Sequence, residues 1–313
     1  MKIKISKIEQ YGTKFEKIIG NDIQNFEIKF LKSYDFSPEL MLHFGSFIVN
    51  KDFVRQTATD NGIEDGISFH FYNAFEYNPK NSSKIKTSNE SPYVRVFPIS
   101  VSQKIPMTKN TQATHLSVAI SANYLKTFLR EEAKHFEFLF DSTNIFLIEE
   151  IMTDNILNAV NDIVKQDKPS PLESYRYKLK AMELLFYLFE SLSKREQTSV
   201  HQKLSERDIK SIYKVRNKIV SSLSKPSTIA DLTKIAGMNE LKMRKLFTQI
   251  FGMGIYDYYQ HLRMKEAARL LRDEKLSVSE AGYQMGFENL SHFSRIFEKH
   301  IGKKPKKYSS EFM

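Results

Sequence analysis

Two short stretches of the chain hold cationic and hydroxyl side chains at helical spacing. The first supplies Leu241, Lys242, Arg244, Lys245 and Thr248; the second supplies Ser291, His292, Ser294, Arg295 and Lys299. Ammonium, guanidinium, imidazole and hydroxyl groups donate hydrogen bonds to anionic oxygens and to base edges. Donors of this kind on helices suit recognition of a nucleic-acid groove.

Helices must carry these groups. At about 100° per residue, Met243, Leu246, Phe247 and Ile250 fall on one face of a helix over 240–250. Leu241, Lys245 and Thr248 then point the opposite way, with Lys242, Arg244 and Gln249 on the flanks. In the second stretch Phe293, Ile296 and Phe297 turn inward and Ser291 and Arg295 outward, flanked by His292, Ser294 and Lys299. Each is preceded by a short helix and a glycine turn. Thr228 with Asp231 caps residues 229–236, Gly237 ends that helix, and Asn239 caps the next. Ser277 with Glu280 caps residues 278–285, Gly286-Phe287 turns the chain, and Asn289 caps a helix that ends at Gly302.

One such hairpin is commonplace, and its basic face reads equally well as a solvated surface. Two in register are not. Asp231 and Gly237 recur as Glu280 and Gly286 at an offset of 49; Met243, Lys245, Phe247 and Gly252 recur as Phe293, Arg295, Phe297 and Gly302 at an offset of 50. Repetition with matching cores favours two helix-turn-helix units. A long helix over about 256–272 joins them, with Tyr258, Leu262, Ala267, Leu270 and Leu271 on its core side. A further helix precedes them, starting at Ser205 and carrying Ile209, Ile212, Val215 and Ile219. Leu241 is apolar on an outward face, which suits a thymine methyl or a neighbouring helix. Lys303, Lys304, Lys306 and Lys307 read as phosphate contacts or as a frayed basic tail.

The charge distribution points the same way. Residues 201–313 carry 22 Lys and Arg against 12 Asp and Glu, whereas residues 1–200 carry 25 of each, so the whole net charge of +10 lies in the last third. That asymmetry is expected of a neutral module joined to a nucleic-acid binder.

The first 120 residues are rich in β-branched and aromatic residues. Strands are expected over 67–77, 94–97 and 116–120, with a loop over 78–92, together making a small sandwich or barrel. Helices are expected over about 123–137 (Tyr124, Leu125, Phe128, Leu129), 148–164 (Ile151, Ile156, Leu157, Val160, Val164) and 172–193. The last carries Leu172, Tyr175, Leu179, Met182, Leu185, Phe186 and Phe189. Packing on the sheet and packing against a second chain account equally well for these stripes.

Other classes find little support. The absence of cysteine excludes disulfides, thiol catalysis and cysteine-zinc sites. His43, His70, His115 and His135 are scattered without ligand spacing; His70, between Phe69 and Phe71, reads as a surface or satisfied histidine. With 11 glycines there is no phosphate loop and no nucleophile elbow. The N-terminal MKIKISKIEQYG lacks a secretory pattern, and the longest apolar run, residues 184–189, is too short to span a bilayer. The expectation is a cytoplasmic protein that is not an enzyme, with no metal, no cofactor and no membrane partner.

Residues 207–308 strongly resemble the DNA-binding domain of the AraC/XylS family of bacterial transcription regulators. The most specific stretch is 278–308, VSEAGYQMGFENLSHFSRIFEKHIGKKPKKY, with Arg263-Met-Lys-x-Ala-x-x-Leu-Leu271 in the connecting helix. The resemblance implies two helix-turn-helix units on a long helix, with base-reading positions at Leu241, Arg244, Lys245, Ser291 and Arg295. The family often has Arg where Lys245 stands, which leaves the first site's base preference open. Lacking cysteine, the chain has no counterpart of the family's methyl-transferring repair members. The implied plan is α+β: a cupin-like β-rich sensor domain with flanking helices (1–145), a helical segment that can dimerise (146–198) and an all-α DNA-binding domain (206–313). The implied function is a sequence-specific regulator, in most of the family an activator. Double-stranded DNA and RNA polymerase are its expected partners. A small-molecule effector, a partner or homodimerisation through residues 148–194 gates it. The rival reading is a ligand- or partner-binding adaptor that does not use its helical domain on DNA.

Overall fold

The computed structural model describes residues 20–56, 63, 65–75, 92–141, 145–165, 170–195 and 203–312. The N-terminal dodecapeptide, most of the loop over 78–92 and most of the linker before Ser205 lie outside them. The chain divides into two compact units, Met1–Arg195 and Glu196–Met313, and is α+β.

The first unit is built on a six-stranded antiparallel sheet in the order β1 (Phe26–Phe36), β2 (Leu40–Val49), β7 (Gln112–Ser121), β4 (Gly66–Tyr72), β5 (Tyr93–Pro98), β8 (Ile148–Ile151). A separate pair joins β3 (Phe53–Gln56) to β6 (Lys104–Met107). On one face Leu40, Leu42, Phe44, Ile67, Phe69, Phe71, Val94, Val96, Leu116, Val118 and Ile120 form the core with three helices: α1 (Ala122–Leu129), α2 (Asp154–Val164) and α3 (Glu173–Ser193). Tyr34 anchors α3, stacking on Tyr177 with ring centroids 4.1 Å apart and donating from its hydroxyl to the Glu173 carboxylate at 2.6 Å.

The strands anticipated over 94–97 and 116–120 form; of the one anticipated over 67–77, Gly66–Tyr72 is strand, 73–75 are not, and 76–77 lie outside the described residues. β2 escapes an alternation test because nearly every residue of it is buried: the sheet is covered on both faces. Three helical expectations need correction. Residues 148–151 are strand β8, paired to β5, and the helix starts only at Asp154, where Thr153 caps it. The helix expected over 123–137 ends at Leu129, because Arg130 takes φ +50°; 3-10 turns follow to Leu139, and Phe128 is exposed.

In α3 the expected apolar stripe divides: Leu185 and Phe189 join the core, and most of the rest turns away. Tyr177, Ala181, Leu184, Leu188 and Leu192 face the sheet with Leu185 and Phe189, while Leu172, Tyr175, Leu179 and Phe186 are exposed. The helix is apolar on two faces, and periodicity alone does not say which of them meets the core.

The other sheet face also departs from expectation. His70 does point away from Phe69 and Phe71, but toward a second covered side. There Phe47 and Val49 pack with Phe53 of β3 and Met107 of β6 at one end, and Met41 and Ala119 with Ile63 and Ile99 at the other.

The second unit is helical: α4 (Glu206–Val220), α5 (Ile229–Ala236), α6 (Glu240–Phe251), α7 (Ile255–Arg272), α8 (Val278–Gln284), α9 (Leu290–Ile301) and α10 (Pro305–Ser310). No described helix is long and apolar enough to cross a membrane.

Candidate nucleic-acid interface

The local chemistry of two turns fixes two helices. After α5, Gly237 adopts φ +63°, and the Asn239 side chain then accepts the Lys242 amide at 2.8 Å to start α6. After α8, Gly286 adopts φ +75°, and Asn289 accepts the His292 amide at 2.9 Å to start α9. Thr228 accepts the Asp231 amide at 3.1 Å at the head of α5. At the head of α8 the box is reciprocal: Ser277 Oγ accepts from Glu280 at 3.2 Å, and the Glu280 carboxylate accepts the Ser277 amide at 2.8 Å. Both longer helices close on left-handed glycines, Gly252 and Gly302.

Met243, Leu246, Phe247 and Ile250 are buried, and so are Phe293 and Phe297, while Ile296 is half-buried. That leaves Leu241, Lys242 and Arg244 exposed on α6, with Lys245 and Thr248 half-buried. On α9, Ser291, His292, Arg295 and Lys299 are exposed and Ser294 is half-buried. Leu241 is 80% exposed and so is not packed on a neighbouring helix among the described residues. Gln249, assigned to a flank by the helical wheel, is 4% exposed and belongs to the interior. The basic tail is not frayed. It forms α10, with Pro305 and Ser309 buried and Tyr308 packed on Phe297 at 5.6 Å between centroids.

The two helices differ electrostatically. On α6, Lys242 Nζ meets the Asp208 carboxylate of α4 at 2.7 Å, and Arg244 Nε meets Glu240 at 2.7 Å. The hydrogen bond from Lys242 is the main cause holding the Asp208 carboxyl below its usual range. On α9, Arg295 makes no ion pair among the described residues. It lines one shallow depression with Leu290, Ser291, Ser294, Glu298 and Lys304. That hollow gathers an arginine, a lysine and two hydroxyls where a phosphate or base edge can be gripped.

Arg263 on the connecting helix was missed as a positioning residue. Its Nε donates to the Met285 carbonyl at 2.7 Å, satisfying an acceptor at the end of α8. Its guanidinium lies 3.7 Å from the centroid of the Phe287 ring. The signal was present: Arg263, Ala267 and Leu270 fall at i, i+4 and i+7 on the buried stripe. Among the described residues, no group of three or more His, Asp or Glu is placed to hold a metal ion.

Residues 232–311, which span both hairpins, match a family model described as a helix-turn-helix domain. The transcriptional regulator GlxA of Rhizobium meliloti is 30% identical over 91 residues, 29% of this chain and 28% of its own length. The transcriptional activator AggR of Escherichia coli is 33% identical over 99 residues, 32% of this chain and 37% of its length. The transcriptional activator RhaR of Klebsiella pneumoniae is 32% identical over 87 residues, 28% and 31%. Over this domain the chain is similar to these helix-turn-helix transcription regulators. The matches span about a third of these relatives' own lengths, and all three are named as regulators, none as an enzyme. A solved AraC-type regulator structure from Chromobacterium violaceum is 22% identical, covering 33% of this chain and 92% of that one at TM-score 0.32. The structure of ToxT from Vibrio cholerae is 13% identical, covering 88% and 98% at TM-score 0.32.

Proposed function

We propose that the chain is a sequence-specific, double-stranded-DNA-binding transcription regulator, an activator, acting in the cytoplasm on RNA polymerase. The observation that carries this reading is the pair of helices α6 and α9. Both are buried on their apolar backs, and both present Leu241, Lys242, Arg244, Ser291, Arg295 and Lys299 outward. The basic C-terminal third docks electrostatically. The pairs α5–α6 and α8–α9 then act as two helix-turn-helix units in successive major grooves, roughly 34 Å apart. Arg295 contacts guanine O6/N7 and Leu241 a thymine methyl, while Lys303, Lys304, Lys306 and Lys307 hold phosphates. The N-terminal half, a cupin-like sensor in this reading, gates binding through a small ligand, a partner or dimerisation.

Arg295→Ala tests base readout. It should cost about 1–3 kcal/mol on the cognate site and relax preference at one position of the second half-site. An equal loss on every sequence would make Arg295 a phosphate contact. Failure of the full chain to shift any fragment of its own upstream region would favour a ligand- or partner-binding adaptor.

Self-association has its own support. Leu172, Tyr175, Leu179, Met182 and Phe186 follow one another at intervals of three and four along α3, and four of the five are exposed.

A further inference from the structure

The covered sheet face opposite the three helices holds a row of side chains that a structural core does not need. Direct antiparallel partners project to the same face. The register aligns His43 with Ser117, Ser117 with His70, His70 with Arg95 and Arg95 with Glu149, across β2, β7, β4, β5 and β8. The next row on that face aligns Gly45, His115, Tyr72 and Tyr93. Apolar clusters close the two ends of this face, around Phe47 and around Met41. Arg55, 8% exposed, comes from β3.

The geometry is close. The rings of His70 and His115 are 5.2 Å apart, those of His70 and Phe97 4.9 Å, and Tyr72 stacks on Tyr93 at 4.9 Å. Arg95 lies over the Tyr72 ring at 5.1 Å and meets Glu149 at 3.2 Å. The Nδ1 atoms of His43 and His70 are buried without a hydrogen-bond partner among the described residues. Unmet buried polar atoms, and charges taken out of water, are destabilising unless something occupies them. The fixed charges acting at its centre are guanidiniums: Arg55 and Arg95 both act on His70, and Arg55 acts on His115 as well. Burial, reinforced by the two arginines, pushes His70 down to about 3, and burial, opposed by Asp35, holds His43 at about 4. The acids nearby touch the edges: Glu149 pairs with Arg95, Asp22 acts on Arg55 and Asp35 on His43. A cation does not suit such a centre; an anion does.

We propose that this face binds a small oxyanion, a carboxylate or phosphate, between His70, His115 and Arg55, and that this ligand is the effector. The second part rests on the reading of the N-terminal half as a sensor. Arg55 supplies the charge, the histidines donate from their ring nitrogens, and Tyr72, Tyr93 and Phe97 offer flat apolar surface to the rest of the ligand.

The test uses the full chain with histidine ring protons followed by NMR. Acetate and phosphate are titrated separately, with acetamide as the neutral isostere of acetate and chloride matching ionic strength. The expected result is a saturable shift of the His70 and His115 signals with acetate or phosphate, and none with acetamide. Arg55→Gln should weaken it about tenfold or more and Arg55→Lys should restore most of it; which anion saturates tells carboxylate from phosphate. A melting temperature of Arg55→Gln at or above that of the parent shows that the loss is not unfolding. Equal responses to acetate and acetamide, no saturable response to either anion, or an unchanged response in Arg55→Gln overturns the site. Saturable anion binding that leaves DNA affinity unchanged overturns the effector role alone.

Discussion

The two glycines that open the longer helices carry the same torsion and different surroundings, and alanine at each separates the two costs. Gly237 has φ +63° and nothing within 4 Å of where a Cβ would stand. Gly286 has φ +75°, and its Cβ would lie 2.1 Å from the carbonyl oxygen of Ser224 and 3.0 Å from that carbonyl's carbon. Left-handed backbone costs an L-residue about 1–2 kcal/mol at either position. Only at Gly286 must backbone also move, and overpacking adds about 1–3 kcal/mol. Gly237→Ala should therefore cost about 1–2 kcal/mol and Gly286→Ala about 2–5 kcal/mol. At about 4–8 °C per kcal/mol for a domain near this size, the helical transition followed by far-ultraviolet circular dichroism should fall about 1.5 to 4 times as far for Gly286→Ala as for Gly237→Ala. Gly302→Ala, at φ +80° with open space around it, should behave like Gly237→Ala. Equal shifts for Gly237 and Gly286 would refute the contact between the α4–α5 connection and the second turn.

Leu241→Ser should leave the unfolding free energy within about 0.5 kcal/mol of the parent, because the side chain is 80% exposed, yet weaken binding to sites with thymine in the first half; a loss of stability instead would place Leu241 in the core. Leu179→Asp, in the exposed stripe of α3, should turn a dimer into a monomer in sedimentation without unfolding it, and an unchanged mass disposes of that interface. Asp208→Asn removes the partner of Lys242. Because the folded-state pKa of Asp208 is lowered, its contribution is present above the ordinary carboxylate value of about 3.9 and fades as pH falls through the lower folded value. The stability gap between parent and Asp208→Asn at pH 7 should close on acidification, and a gap independent of pH would contradict the pairing.

The second unit was legible almost residue by residue, because caps, left-handed glycines and i, i+3, i+4 cores are local signals. Asn239, Gly286 and Phe297 do what their types imply. Gln249 was misplaced because a helical wheel shows angle and not the neighbour that covers it. The first unit was less legible because its decisive facts are non-local. Nothing near His43, His70 or Arg95 in the chain announces that strand register lines them up, since residues 43, 117, 70, 95 and 149 meet only after the sheet forms. For the same reason Ile148–Ile151 looked like the start of a helix: its pairing partner is β5, more than fifty residues earlier.

The ion pairs on α6 bear on how two similar hairpins share the work. Lys242 and Arg244 are held by Asp208 and Glu240, whereas Arg295 makes no ion pair among the described residues. Exposed pairs are worth about 0–1 kcal/mol, so releasing them does not forbid a DNA contact. It does subtract from the first half-site an amount comparable to a good part of one base contact, at about 1–3 kcal/mol. Glu240 also sits in the first turn of α6, where a carboxylate favours the helix end and disfavours an approaching phosphate. If both helices enter DNA as proposed, the first should depend more on Lys245 and on the apolar reach of Leu241, and the second on charge. Raising salt should then weaken the α9 half-site more than the α6 half-site; an equal salt dependence of the two half-sites would refute that division.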